Sequence, residues 1–379
     1  MNIEQRIMKV AIVGAGTAGL LCAAELCEGL PEFAKIDLIY SPNIRSIEVG
    51  ESTLVKFPSV LSDCVDYSHF EDKDKLNSTT KYGVMFRNWN GDKFIPFASG
   101  AYGMHFDTKK FPEYILPKLK ELYPNFSEIH KEIKDIVSLG KKVSVDGVEY
   151  DFAIDCRGFP EDYSDYYISP NVYLNQGIVV SSRDTPGTWE YTYHVAHRNG
   201  WMFGIPLKEK SGWGYLYNSD LTNRDDAFAD LIDTLSDYDV RPYLPEAREF
   251  SFKNYYAKSV VNRDCNIFVN GNRALFLEPI QATSLSCYSL INEAIVDFIV
   301  EGVDYDTFKQ QYYKMIEEAI LFINIHYKNG SNFDSPFWNN ASSKATKLLD
   351  DYVIQNYTGW KLILDQNNQF RKRMFANFL

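Results

Sequence analysis

The segment that most restricts what this chain can fold into is Lys9-Val-Ala-Ile-Val-Gly14-Ala-Gly16-Thr17-Ala18-Gly19-Leu-Leu-Cys-Ala-Ala-Glu-Leu. An apolar run, three glycines spaced G-x-G-x-x-G and a second apolar run read as a buried strand, a tight turn and a helix. A dinucleotide pyrophosphate needs that order. Gly14 makes the turn, Gly16 lets phosphates approach the backbone, and Gly19 lets the helix pack closely, while Thr17 and Ala18 offer N–H groups at its positive end. A glycine turn without a ligand is the competing reading, and it leaves the spacing unexplained. A second strand follows at Ile36-Asp-Leu-Ile-Tyr40, where Tyr40-Ser41 replaces the acid that usually binds a ribose. Ribose binding then falls to Ser41, Arg45 or the backbone. The apolar stretch from Val10 to Ala24 carries three glycines and no cleavage site, so the strand–turn–helix unit explains it better than a membrane span or signal peptide.

The chain has 379 residues, room for two to three domains at roughly 100–200 residues each. Hydrophobic residues at 45% and charged residues at 24% exclude a disordered or fibrous chain. A net charge of −12 is the wrong sign for neutralising phosphates or anionic lipid, which argues against nucleic-acid and membrane partners. Six cysteines form no C-x-x-C pair and six histidines form no H-E-x-x-H, so no metal site is expected. Cys22, Cys27 and Cys287 lie in apolar helical patterns as small core residues, which favours a reducing, cytoplasmic compartment. Aromatic residues at 15% suit an aromatic-lined pocket, although large cores use them too.

Two later segments distinguish FAD from NAD. Val148-Glu-Tyr-Asp-Phe-Ala-Ile-Asp155-Cys-Arg-Gly158-Phe resembles the second flavin-contacting strand of glutathione-reductase-type FAD proteins, and Asn266-Ile-Phe-Val-Asn-Gly271-Asn-Arg-Ala resembles the third. Asp155, Gly158 and Gly271 join the expected cofactor contacts. No second G-x-G-x-x-G occurs, so a separate NAD(P)H domain is not expected and electrons arrive from elsewhere, either as free reduced flavin or by transient NAD(P)H docking.

Further motifs resemble, in order, the flavin-dependent tryptophan-type halogenases. They are Val49-Gly50-Glu51-Ser52-Thr53, Thr80-Lys81-Tyr-Gly-Val-Met-Phe86-Arg-Asn-Trp89, His105-Phe106-Asp107 and Trp201-Met-Phe203-Gly-Ile205-Pro206. Gly212 to Ser219, Leu277-Glu278-Pro279-Ile-Gln281-Ala-Thr283-Ser284, and His326-Tyr327 followed by Asp334-Ser-Pro336-Phe337-Trp338 continue the series, so the likeness spans about residues 8–340. Phe203 stands where the family's W-x-W-x-I-P signature has its second Trp. The resemblance implies reduced FAD supplied by a separate flavin reductase, a halide, and hypohalous acid passed through a tunnel to a lysine beside an electron-rich aromatic small molecule. Lys81 matches that lysine, its alternative being an exposed lysine on a strand running from Thr79 to Trp89. Glu51, Ser52, Thr53, Glu278 and Pro279 fall to the cofactor. Thr283 and Ser284 fall to the halide, with simple helix capping as the alternative. Trp201, Phe203, Tyr327, Phe337 and Trp338 fall to the substrate, with core packing as the alternative. Gln281 replaces the family's carboxylate near the lysine; a neutral amide cannot take the proton of an arenium ion. Bromide and iodide are therefore expected over chloride, and Phe333 argues against free tryptophan as substrate.

The expected fold is α/β: an FAD-binding Rossmann-like domain of the glutathione-reductase type, an inserted β-sheet substrate region and a helical C-terminal cap, with a homodimer possible in assembly. The domain reading gives residues 1–100, 148–165 and 255–303 to the FAD core, 101–147 and 166–254 to the sheet region, and 304–379 to the cap. Helices are expected at Phe111 to Leu122, Leu285 to Val303 and Tyr305 to Tyr327; strands at Tyr173 to Val180, Trp189 to His197, Trp201 to Pro206 and Gly212 to Tyr217. Two other functions share the fingerprint: a single-component FAD aromatic monooxygenase, and an inactive flavin-binding protein.

Overall fold

Met8–Val13 is the central strand of a five-stranded parallel sheet ordered Ile267–Val269, Phe152–Asp155, Met8–Val13, Ala34–Tyr40, Phe126–His130. A computed structural model of the chain describes residues 7–43, 51–169, 173–183 and 188–355. The near-continuous apolar character of Val10 to Val13 follows from burial on both faces, as a parallel sheet between helices requires. Helix Thr17–Gly29 covers one face and packs on helix Ser284–Glu301 and helix Lys110–Leu122. Ser284–Glu301 and its preceding turn are long and apolar enough to cross a membrane, and half of that stretch is buried inside the fold.

A second, seven-stranded sheet runs Arg248–Ser251, Gln176–Ser182, Ser211–Tyr217, Gly200–Pro206, Thr192–His197, Gly83–Arg87, Lys93–Pro96. All its pairs are antiparallel except Thr192–His197 against Gly83–Arg87. Every residue of Gly200–Pro206 is buried, because helices cover both faces. Met202, Trp213 and Tyr215 pack against helix Arg224–Ser236, whereas Trp201, Phe203 and Ile205 join the main core with the C-terminal helices Tyr305–Lys328 and Pro336–Gln355. Phe203 pairs with Gly214 and Trp213 with Gly204 across the strands. A Cβ at Gly214 would stand 2.2 Å from the Phe203 ring, so the missing side chain makes the seat for that ring.

The strand pairing redraws two expected boundaries. Residues 101–147, assigned above to the sheet region, supply the edge strand Phe126–His130 of the parallel sheet and helix Lys110–Leu122 beside it. Gly83–Arg87 and Lys93–Pro96, assigned to the FAD core, belong to the seven-stranded sheet. Sequence periodicity identifies a strand but not the sheet it joins. The expected single strand from Thr79 to Trp89 is two, Thr79–Lys81 and Gly83–Arg87, in different sheets. The chain crosses at Tyr82, whose N–H bonds Glu190 O at 2.7 Å. The other expected elements are found with ends moved by a few residues; Ser284–Glu301 stops early because Gly302 turns left-handed at φ 69°.

Candidate functional site

The first part of the site is the glycine turn. Gly14 has φ 108°, and a Cβ there would lie 2.6 Å from Cys156 O; one on Gly19 would lie 1.9 Å from Gly14 O. Gly16 differs, since nothing lies within 4 Å of the position its Cβ would take. Two glycines thus close the turn against the neighbouring strand, and the third leaves open space over the start of helix Thr17–Gly29. That helix has no acidic residue in its first turn and no side-chain cap, so the N–H groups of Thr17, Ala18 and Gly19 remain free of side-chain acceptors there. Gly158, at φ 90°, also faces open space, and Gly271, at φ 66°, sits against Ala18. The three segments expected to meet a flavin nucleotide therefore converge at one end of the parallel sheet, with open backbone where a pyrophosphate would sit. FAD fits these residues.

Other expected cofactor contacts turn elsewhere. The Asp155 carboxylate is engaged by Arg157, at 2.9 Å from Nε and 2.8 Å from Nη2, and by Arg273 at 3.3 Å. Glu278 is fully buried; its carboxylate accepts from the Tyr327 hydroxyl and, at 3.3 Å, from Tyr173 N–H. Burial raises its pKa to about 7 despite those bonds. Neither carboxylate is left facing a cofactor. Ser41 Oγ accepts from Asn43 N–H at 3.3 Å; Arg45 lies outside the described residues, as do Val49 and Gly50. Glu51 and Ser52 form a short strand paired with His105 and Phe106, and Thr53 is locked to Met104 by bonds of 2.8 and 2.9 Å. The Ser52 hydroxyl points to Lys81 rather than to the nucleotide turn.

Lys81 ends strand Thr79–Lys81 at the crossover between the two sheets, which explains its position: it is fully buried, not on an exposed strand face. Its Nζ donates to Ser52 Oγ at 2.9 Å and lies 5.5 Å from the centre of the Phe97 ring. Burial alone lowers its pKa to about 7. His105 and His194 are also buried, and both are held well below the usual histidine range by burial and by the Lys81 charge. Phe86 stands edge-on to His194, at 5.1 Å, and stacks on His326 at 5.4 Å.

Gln281 lies in the turn before helix Ser284–Glu301. Gln281 and Ala282 are both left-handed, at φ 58° and 57°, a conformation unfavourable for residues with a Cβ and concentrated at functional sites. Thr283 occupies the cap position without a side-chain hydrogen bond, so capping is not what its hydroxyl does. In the turn the Ala282 N–H is spent on Pro279 O at 2.9 Å, while the helix start that follows has no side-chain acceptor at its cap. Gln281 Nε2 lies 2.8 Å from His326 Nε2, and His326 Nδ1 lies 2.8 Å from Phe322 O. A carbonyl only accepts, so Nδ1 carries the proton, and in the neutral ring Nε2 accepts from the Gln281 amide. Gln281 Oε1 is then left buried and unpartnered.

The expected substrate residues form a packed cluster. Trp201, Phe203, Tyr327, Phe337 and Trp338 are all buried. Trp89 joins them, 4.9 Å from Trp338 and 5.6 Å from Tyr327. Trp201 Nε1 donates to the Tyr327 hydroxyl at 2.8 Å, which donates to Glu278, and Trp338 Nε1 donates to His197 O at 2.8 Å. These bonds tie the C-terminal helices to the seven-stranded sheet and to the turn holding Gln281. Beside the lysine stand the Phe97 ring, 5.5 Å from Nζ, and His105 and His194, which feel its charge, with Phe86 packed against His194. Sequence reasoning passed over Thr192 and His194; their alternate positions on one strand were the available signal.

Comparison with known proteins identifies the family and the fold. The tryptophan halogenase family model matches residues 9–132 and 127–375. Tryptophan 7-halogenase KtzQ of Kutzneria sp. (strain 744) is 22% identical over 88% of this chain and 78% of its own, and tryptophan 6-halogenase ThaL of Streptomyces albogriseolus is 21% identical over 92% and 81%. Among solved structures, the flavin-dependent halogenase BrvH from Brevundimonas sp. BAL3 superposes with a TM-score of 0.77 at 21% identity, covering 89% of this chain and 82% of that one. A tryptophan halogenase from Shewanella frigidimarina gives 0.76 at 19% identity, covering 89% and 81%. With the family model matched over nearly the whole chain, the protein belongs to the tryptophan halogenase family of flavin-dependent enzymes.

Proposed function

We propose that this enzyme halogenates an electron-rich aromatic small molecule, a phenol or an indole other than free tryptophan, with bromide or iodide favoured over chloride. The observation that carries the reading is the fully buried Lys81, whose amine is readily neutral near pH 7 in an aromatic setting. When bound, reduced FAD supplies, with dioxygen and halide, hypohalous acid. Gly14, Gly16, Thr17, Ala18, Gly19, Gly158 and Gly271 would hold it, and the N–H groups around Thr283 and Ser284 would hold the halide.

Lys81 then acts on the oxidant. As an ammonium it donates a hydrogen bond to hypohalous acid. As a neutral amine its lone pair takes the halogen: the N–X bond forms, the O–X bond breaks, and water leaves with the amine proton. Phe86, His194 and Phe97 give an apolar wall that excludes bulk water. Gln281 holds His326 in its neutral form and turns its own carbonyl oxygen into the protein as an acceptor, so it positions but does not take a proton.

The test uses the purified enzyme with FAD, a flavin reductase, NADH and each halide against a panel of phenols and indoles, read by mass spectrometry. Halogenated product is expected with bromide and iodide above chloride. Lys81→Ala and Lys81→Arg are expected to abolish it while oxygen consumption and peroxide release continue. Hydroxylated product would support a monooxygenase, and regiospecific halogenation by either Lys81 variant would place the chemistry elsewhere.

A further inference from the structure

Polar groups run away from Lys81 in single file through the protein. Lys81 Nζ lies 2.9 Å from Ser52 Oγ, Ser52 Oγ lies 2.8 Å from Thr192 Oγ1, and Thr192 Oγ1 lies 2.8 Å from His105 Nε2. On the far side of the ring, His105 Nδ1 lies 3.1 Å from Thr79 Oγ1, which donates to Pro206 O at 2.7 Å. Lys81, Ser52, Thr192 and His105 are all buried; Thr79 is half-buried and lines a surface cleft with Lys73, Asp74, Ser78, Thr80 and Lys208.

The final bond fixes the direction of the others. The Thr79 proton is committed to a carbonyl, so the proton between Thr79 and His105 belongs to Nδ1. Nε2 of the neutral ring then accepts from Thr192, Thr192 accepts from Ser52, and Ser52 accepts from the Lys81 ammonium. Each hydroxyl accepts once and donates once, always toward Thr79. Reversing the three bonds between Lys81 and His105 gives a second complete set on the same heavy atoms. His105 as imidazolium donates to Thr192, Thr192 to Ser52, and Ser52 to the lone pair of a neutral lysine.

We propose that Ser52, Thr192, His105 and Thr79 form a proton wire between the Lys81 amine and the surface cleft at Thr79. The proposal rests on the reading of Lys81 as the group that receives halogen, because only the neutral amine has the lone pair to do so. The steps balance without electron transfer. Lys81 passes a proton to Ser52 as Ser52 passes its own to Thr192 and Thr192 its own to His105 Nε2. His105 then gives its Nδ1 proton to Thr79, whose hydroxyl turns from Pro206 O to pass its own proton to water in the cleft; the ring is left with its proton on Nε2, and the same steps in reverse, which reprotonate the amine, restore the starting set. Burial holds His105 well below the usual range, so its imidazolium is a stage of the transfer and not a resting form. Among the described residues, His194 also senses Lys81; burial lowers its pKa well below the usual histidine range, with His326 beyond it. Ser52, Thr192, His105 and Thr79 are thus positioning residues that set the proton state of Lys81.

The test has an arm that needs no turnover. In protein labelled with 15N-lysine, the Lys81 Nζ signal is assigned by its loss in Lys81→Arg, and exchange of its protons with solvent is measured. Thr192→Val keeps the shape and removes both hydroxyl bonds; exchange is expected to slow by about 100-fold, the low end of what a positioned proton donor or acceptor contributes. Thr192→Ser is expected to restore it. In the halogenation assay, kcat of Thr192→Val should fall most below the Lys81 pKa of about 7 and approach the wild-type value well above it, with KM unchanged. Equal exchange in Thr192→Val and wild type overturns the wire whether or not product forms. Slowed exchange in an enzyme that makes no halogenated product supports the wire and overturns the role given to Lys81. If Thr192→Val does not fold, Ser52→Ala interrupts the file one bond closer to the lysine and carries the same expectation.

Discussion

At the scale of single residues, Lys81 is an ionisable group that the fold holds nearer to neutrality than the unfolded chain does. Its pKa falls from 10.5 in the unfolded reference to about 7 in the protein. Between those values the unfolded chain binds more protons, so this group makes stability rise with pH from about 7 to 10.5; below 7 its full cost is present. Lys81→Met removes the cost and keeps the volume, at the loss of one hydrogen bond to Ser52. The variant is expected to melt about 3–6 °C above wild type at pH 7, with the advantage gone near pH 10.5, as measured by scanning calorimetry. A lower melting temperature at pH 7 would show that Ser52 and the Phe97 ring already offset the buried charge. Gln281 gives a second prediction. Its His326 partner already spends Nδ1 on Phe322 O, so Gln281→Glu converts a neutral amide–imidazole pair into a carboxylate that draws a second proton onto the ring. A base then stands where an amide stood, and chlorination should rise relative to bromination, with about 10²–10⁴-fold as the ceiling. An unchanged halide ratio would separate Gln281 from the choice of halide. Lys81 itself was ambiguous in the sequence, because alternation along Thr79 to Trp89 does not show that the strand breaks at Tyr82 and turns the lysine inward.

At the scale of elements, the glycine turn was legible because each glycine answers a different steric demand, and the structure separates those demands. Gly19 lets the helix cross the turn, and a side chain there would overlap the backbone of Gly14. Gly16 has open space beyond it and is needed only by a ligand. Gly16→Val should therefore fold with a near-wild-type melting temperature and bind no flavin, whereas Gly19→Val should fail to fold. Flavin titration by fluorescence quenching checks this; unchanged affinity in folded Gly16→Val would remove the nucleotide from this turn. The aromatic signature elements carry packing that their motifs do not reveal. Trp201, Tyr327, Phe337 and Trp338 belong to a cluster whose hydrogen bonds join two strands of the seven-stranded sheet, both C-terminal helices and the turn at Glu278, and a motif shows which residues recur without showing which way they face.

At the scale of the whole molecule, the three glycine-bearing segments that marked one nucleotide site do come from three neighbouring strands of a single parallel sheet. The chain leaves that sheet and returns three times, and those crossings were invisible to periodicity, so Phe126–His130 was assigned to the wrong layer and Gly83–Arg87 to the other. The same architecture constrains electron supply. The sequence has one G-x-G-x-x-G, and the seven-stranded sheet is joined mostly by antiparallel connections, which provide no strand–turn–helix unit for a second nucleotide. Hydride transfer requires a nicotinamide held about 3–3.5 Å from the flavin, and holding it there takes a binding site, not a collision. Bound FAD should therefore be reduced slowly by NADH or NADPH alone, and addition of a flavin reductase should restore turnover. Anaerobic stopped-flow measurement of the flavin absorbance, with and without the reductase, distinguishes the cases. Rapid, saturable reduction by NADPH alone would mean that the chain holds a nicotinamide after all, and would move the reading toward a single-component monooxygenase.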